Sequence, residues 1–146
     1  MAEETDVAGV TAWFETLAGH VREVDFIGAR PIFAPDMVAF GTFTDFMTGR
    51  DAAETQQWRN VWPHIDGFRW RPDIKAIVSP DRLQAVGMGV FDSTGYSQDG
   101  TAYDRPGRAT VVLVRDSVGA TWRAQHTHLS LFRDVPTRSF RNKPEK

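Results

Sequence analysis

Two periods divide the chain. In its first part the apolar residues recur at three- and four-residue intervals, and from Phe68 onward they alternate with polar ones. Within residues 5–21, Val10, Phe14, Leu17 and Val21 form the stripe of an amphipathic helix. Glu3, Glu4 and Asp6 suit the positive end of its dipole, and Gly19 stands where such a helix can end. A short second helical piece is predicted over residues 24–33, which Pro31 kinks or ends unless the helix begins there. A turn at 34–36 leads into a short strand at 37–40, and residues 42–49 read as an aromatic loop. A third helix is predicted behind Asp51 and Glu54, an acidic version of the capping box. It is carried by Trp58, Val61, Trp62 and Ile65 and closed by Pro63 and Gly67. Its two tryptophans stand one turn apart, as packing groups or as ligand-stacking groups.

The alternating part predicts strands over residues 69–78, 83–96, 108–115 and 121–132. A turn at Ser79-Pro-Asp-Arg82 separates the first two, and Asp99-Gly100 between Tyr96 and Tyr103 is a hairpin signal. Gly87 and Gly89 suggest a bend or bulge in the long second strand. In the last strand, strict alternation places Trp122, Ala124, His126, His128 and Ser130 on one face. Arg123, Gln125, Thr127, Leu129 and Leu131 then fall on the other. Helices followed by a long meander predict an α+β domain over residues 1–133, its helices gathered on one side of a curved sheet. Residues 134–146 are polar and without period, a loosely ordered tail. The sheet's second face also needs cover, and a second copy of the chain is the simplest.

Composition narrows the function more than it defines it. A net charge of −2 and a pI near 6.1 leave no basic footprint, so no nucleic-acid partner is expected. The absence of cysteine excludes disulfides and thiolate chemistry. The acidic start is unlike a signal peptide, and no apolar run approaches the ~20 residues of a membrane span. The expectation is therefore a cytoplasmic protein without a membrane partner. Five Trp and ten Phe are a supply suited to lining an apolar cavity.

Several side chains carry candidate chemistry. His126 and His128 resemble the paired ligands of some metal sites, and Asp36, His64, Asp99 or Asp104 would have to supply a third. No Glu follows at a cupin spacing; neither a metal nor another cofactor is expected. The pair serves equally as acid–base groups, or as partners within the sheet or an interface. Asp36 caps its turn or acts as a catalytic carboxylate. Asp92 and Tyr96 share a face with Gln84, Val86, Met88 and Val90. Facing inward, Asp92 would be a buried base of raised pKa with Tyr96 as donor; facing outward, both are surface groups. Among Arg71, Arg105, Arg108 and Arg123, Arg108 at a strand start is the best placed for an anion contact, or it pairs with an acid such as Asp104.

The chain resembles the nuclear transport factor 2-like superfamily, and within it the SnoaL-like branch related to polyketide cyclases and ketosteroid isomerases. The resemblance rests on Phe33-Ala-Pro-Asp36 turning into Val38-Ala-Phe-Gly41, Gly49-Arg50 opening a helix, and Gly107-Arg-Ala-Thr110 opening a strand. Trp122 through His126-Thr-His128-Leu-Ser130 closes the sheet. It implies a cone of about three N-terminal helices packed in a strongly curved antiparallel sheet with a mixed edge, usually dimeric, with a pocket between helices and sheet. Members range from isomerases, cyclases and hydratases to the association domain of calcium/calmodulin-dependent kinase II, so fold alone does not give function. The carboxylate base of ketosteroid isomerases falls on Gly41 and their tyrosine on Trp13, so that activity is not expected. The expectation is a homodimer whose cone takes a small apolar, oxygenated metabolite. His126, His128, Asp36 and Asp92 are the candidate catalytic groups; Trp13, Phe40, Trp58, Trp62, Tyr96 and Arg108 are the candidate ligand contacts. A non-catalytic binding or oligomerisation module on the same cone is the alternative.

Overall fold

Val10, Phe14, Leu17 and Val21 become the buried stripe of helix α1 (Ala2–Glu23). The computed structural model describes residues 2–132 together with Arg141 and Pro144, with side chains from Glu4 onward. The tail expected at 134–146 lies outside the described residues apart from those last two. After α1 the chain makes a short helix α2 (Phe26–Ala29), capped by the Asp25 side chain, which accepts from Gly28 N at 2.8 Å. A 3₁₀ turn follows (Arg30–Ile32), and Pro31 sits at its start, where no amide hydrogen is needed.

Eight strands make one sheet in the order β2-β1-β8-β7-β5-β3. Strand β1 (Phe33–Phe40) pairs antiparallel with β2 (Phe46–Thr48), which forms inside the expected aromatic loop, and parallel with β8 (Arg123–Leu131). The long β5 (Gln84–Tyr96) is the spine. One of its edges carries β7 (Gly107–Val114) and β6 (Ala102–Asp104); the other carries β4 (Lys75–Val78) and β3 (Asp66–Trp70). The single strand expected over 69–78 is two, because Pro72 interrupts the ladder.

Helix α1 lies against the concave face, packed on β3, β4 and β5. Gly87 and Gly89 make this possible, though not by bending β5, whose register runs unbroken past both. A Cβ at Gly87 would stand 2.5 Å from Phe14, and one at Gly89 would stand 3.0 Å from Trp70. The glycines are sites of close approach. Trp70 secures the contact by donating its indole N–H to the Phe14 carbonyl at 2.7 Å.

Residues 50–64 form a continuous helical segment with one wide turn. Helix α3 (Arg50–Ala53) passes into a π-helical turn (Glu54–Trp58), then α4 (Arg59–Val61) and a 3₁₀ turn (Trp62–His64). Its N-cap is Gly49, with no side-chain cap. The expected capping pair works elsewhere: Arg30 donates to Asp51 and to Glu54, both at 2.6 Å, tying this segment to the 3₁₀ turn.

Candidate functional site

The inner face of the sheet and the two helical layers enclose an aromatic cavity of ≈ 50 Å³. Leu17 and Val21 come from α1, Phe33 and Ala39 from β1, and Trp58 and Trp62 from the helical segment. The two tryptophans stack at 5.0 Å with planes 11° apart, and Phe33 packs on Trp58 at 4.7 Å. They are wall and packing at once. Phe68, Phe91 and Leu129 add to the apolar lining, with Met47 and Val61 among the others. The space is well short of the ~300–1,000 Å³ of a typical ligand pocket. Gly41, Thr42 and Leu129 line both this cavity and an open depression beside Tyr96, Tyr103 and His128.

Among the described residues four polar side chains reach the wall: Thr42, Gln57, Arg105 and Thr127. Gln57 and Arg105 are each only 7% exposed. Arg105 donates to Thr42 Oγ1 at 3.4 Å, and Gln57 Nε2 approaches the same oxygen at 3.5 Å. Gln57 Oε1 is buried without a partner. No Asp or Glu among the described residues pairs with the Arg105 guanidinium, and its desolvation pulls its pKa below the ordinary 12.5. The backbone holds this arginine firmly: its N–H donates to Ser93 O, and Ser93 Oγ donates back to its carbonyl at 2.7 Å.

The histidines stand elsewhere. Pairing between β7 and β8 steps from Leu113↔Ala124 to Val112↔His126, so Gln125 is an extra residue in the strand. The bulge reverses the phase of everything after it. Trp122 and Ala124 face inward, whereas past the bulge Thr127 and Leu129 take over the wall, and His126 and His128, expected on the same face as Trp122, turn to the outer one. There His126 Nδ1 donates to Val38 O at 2.7 Å, and both rings meet Phe40 edge-on.

Asp92 and Tyr96 are also on the outer row of β5, since Ala85, Gly87, Gly89, Phe91, Ser93 and Gly95 form the buried row. Arg71 donates twice to Asp92, each at 3.0 Å, and holds its carboxyl below the usual range, opposite to the raised value an inward carboxylate would have. Tyr96 donates to Asp66 at the rim. Asp36 is exposed on β1 and accepts from Gln125 at 3.3 Å. Arg108 is exposed, bonded to Ser130 Oγ at 3.1 Å and lying over Phe132. Trp13 is buried beside the cavity, donating to Ile32 O at 2.9 Å, and Phe40 borders it from β1. Among the described residues no three of His, Asp and Glu gather as a metal site.

An α1 helix seated in a strongly curved eight-stranded sheet, with a cavity between them, is the nuclear transport factor 2-like cone. The chain belongs to the SnoaL-like domain family, whose model matches residues 9–134. No curated protein matches it in sequence. Among solved structures it is similar to a nuclear transport factor 2-like superfamily protein from Salmonella enterica. The TM-score is 0.76 at 14% identity, covering 94% of this chain and 99% of that one. A ketosteroid isomerase-like protein from Erwinia carotovora atroseptica has a TM-score of 0.71 at 17% identity, covering 87% and 96%. The calcium/calmodulin-dependent kinase II hub of S. rosetta has a TM-score of 0.70 at 17% identity, covering 86% and 95%. At these identities the likeness is one of fold.

Proposed function

We propose that this SnoaL-like domain binds a compact, largely apolar small molecule in its cone, and does so without an acid–base residue of its own at the ligand. The observation that carries this reading is the cavity wall: a stacked tryptophan pair and other apolar side chains, with Thr42, Gln57, Thr127 and Arg105 as its polar members and, among the described residues, no Asp, Glu, His or Tyr. General acid–base catalysis needs a group that can exchange a proton near the operating pH, and a threonine, an amide and a guanidinium do not. The protein is then a binding module rather than an isomerase or cyclase. It works as a homodimer joined through the outer face of the sheet.

Methyl NMR with toluene tests the cavity. Shifts confined to Leu17, Val21, Met47, Val61 and Leu129 are expected, with an affinity that stays flat from about pH 5 to about pH 8, where only a histidine-type group would titrate. Shifts confined to the outer face, or an affinity that follows a pKa in that range, would overturn the reading.

A further inference from the structure

We infer that the polar end of the cavity, formed by Arg105 with Thr42 and Gln57, binds the carboxylate of an acidic ligand whose apolar body lies against the Trp58–Trp62 stack; this rests on the cavity being the ligand site. A guanidinium carries five N–H donors in a fixed fork that matches two carboxylate oxygens. Arg105 is 7% exposed, and the protein acceptor its side chain reaches is Thr42 Oγ1 at 3.4 Å, a long contact. A buried cation is normally paired, because removal from water disfavours its charge. The other buried arginine among the described residues obeys that rule: Arg115 meets Asp6 at 2.7 Å.

Two further features fit a ligand with a polar, acidic head at this end of the cavity. Gln57 Oε1 is a buried polar atom without a partner, on the same wall, and it accepts where the guanidinium donates. A ligand bearing a carboxylate and a hydroxyl or N–H donor answers both. The location is also right for entry, since Thr42 lines the cavity and the open depression alike. The charged head of an entering acid meets Arg105 at that junction while its apolar part occupies the aromatic space. The sequence favours Arg108 for an anion contact, with pairing to an acid as its alternative. The structure puts Arg108 outside and Arg105, three residues earlier and of opposite facing, inside.

Benzoate and benzamide have nearly the same shape and differ in charge, so their comparison on the intact protein isolates the inference, with toluene as the probe of the cavity alone. Calorimetric titration should find benzoate bound about tenfold or more tightly than benzamide, the worth of a charge-assisted contact. The preference should vanish in Arg105→Gln and survive in part in Arg105→Lys. Arg105→Gln should also melt no lower than the parent, because it removes a buried charge that no Asp or Glu among the described residues pairs with. Equal binding of benzoate and benzamide alongside toluene binding would overturn the carboxylate assignment and leave the cavity reading standing. No binding of any of the three would overturn both. The wild-type comparison decides the matter even if a variant fails to fold.

Discussion

Asp6 is the acid on which the closed end of the cone depends. It is 2% exposed and receives two hydrogen bonds from Arg82, at 2.6 and 3.1 Å, and one from Arg115 at 2.7 Å. Arg82 reaches it from a left-handed backbone conformation, φ 63°, and Arg115 lies 4.0 Å over the Trp122 ring. The bonds from Arg82 and then Arg115 lower the Asp6 pKa from 3.8 to about 2. A carboxyl whose pKa falls on folding stabilises the protein above its unfolded value of ~3.9, and that contribution is lost as the pH drops through the folded value. Asp6→Asn should therefore melt well below the parent at neutral pH, with the gap closing between about pH 4 and about pH 2, where the parent's own carboxyl becomes neutral. Melting curves of the two proteins across that range check the prediction. A gap that stays constant would show that charge at Asp6 is not what matters.

At the scale of elements, the inner row of β5 shows how a residue pattern can be read correctly as unusual and wrongly as to cause. Gly87 and Gly89 stand out in the sequence, yet nothing local says that Phe14, seventy-odd positions earlier, occupies the space above Gly87. Gly87→Ala should cost about 1–3 kcal/mol, the range for overpacking a filled core, because Phe14 is fully buried and has nowhere to go. Urea denaturation of the single variants and of Gly87→Ala with Phe14→Leu measures it. The double variant should lose less than the sum of the singles, since a smaller residue makes room for the new methyl. Additive losses would place the strain elsewhere. The helical stripe of α1 and the hairpin at Gly100 were legible because each depends on local periodicity or turn chemistry. The cavity-facing row of β8 was not. One extra residue at Gln125 reverses its phase, and a bulge is set by how β7 and β1 pair with that strand, which strict alternation cannot reveal. Gln57 was hidden for a similar reason: it is carried in on a π-helical turn beside Trp58, where the sequence supports a regular helix. Arg105 gave a signal in advance, as one of the arginines beside the sheet, and only its facing was missing.

The whole molecule poses the question of the outer sheet face. Val86, Met88 and Val90 on β5, and Val112 and Val114 on β7, form adjoining rows that are only half-buried in one chain. An antiparallel sheet with one wet face ordinarily shows polar residues there, so rows of valine and methionine call for a partner. A second copy offers the self-complementary surface that two-fold symmetry requires. On that reading folding and association are linked, and raising the protein concentration about tenfold should raise the melting temperature, as it does for any complex that binds only the folded state. Val112→Glu tests the interface directly. Its side chain points away from the cavity, so the folded chain should tolerate it, while a dimer must bury a carboxylate in an apolar contact. Light scattering should then report the parent at twice the chain mass and Val112→Glu at the chain mass, with the toluene-induced methyl shifts retained by the monomer. A parent that is monomeric at every concentration would sink the dimer and leave the cavity intact. A variant that loses both mass and cavity binding would show instead that the outer face supports the cone from behind, making the second copy part of the binding site's own stability.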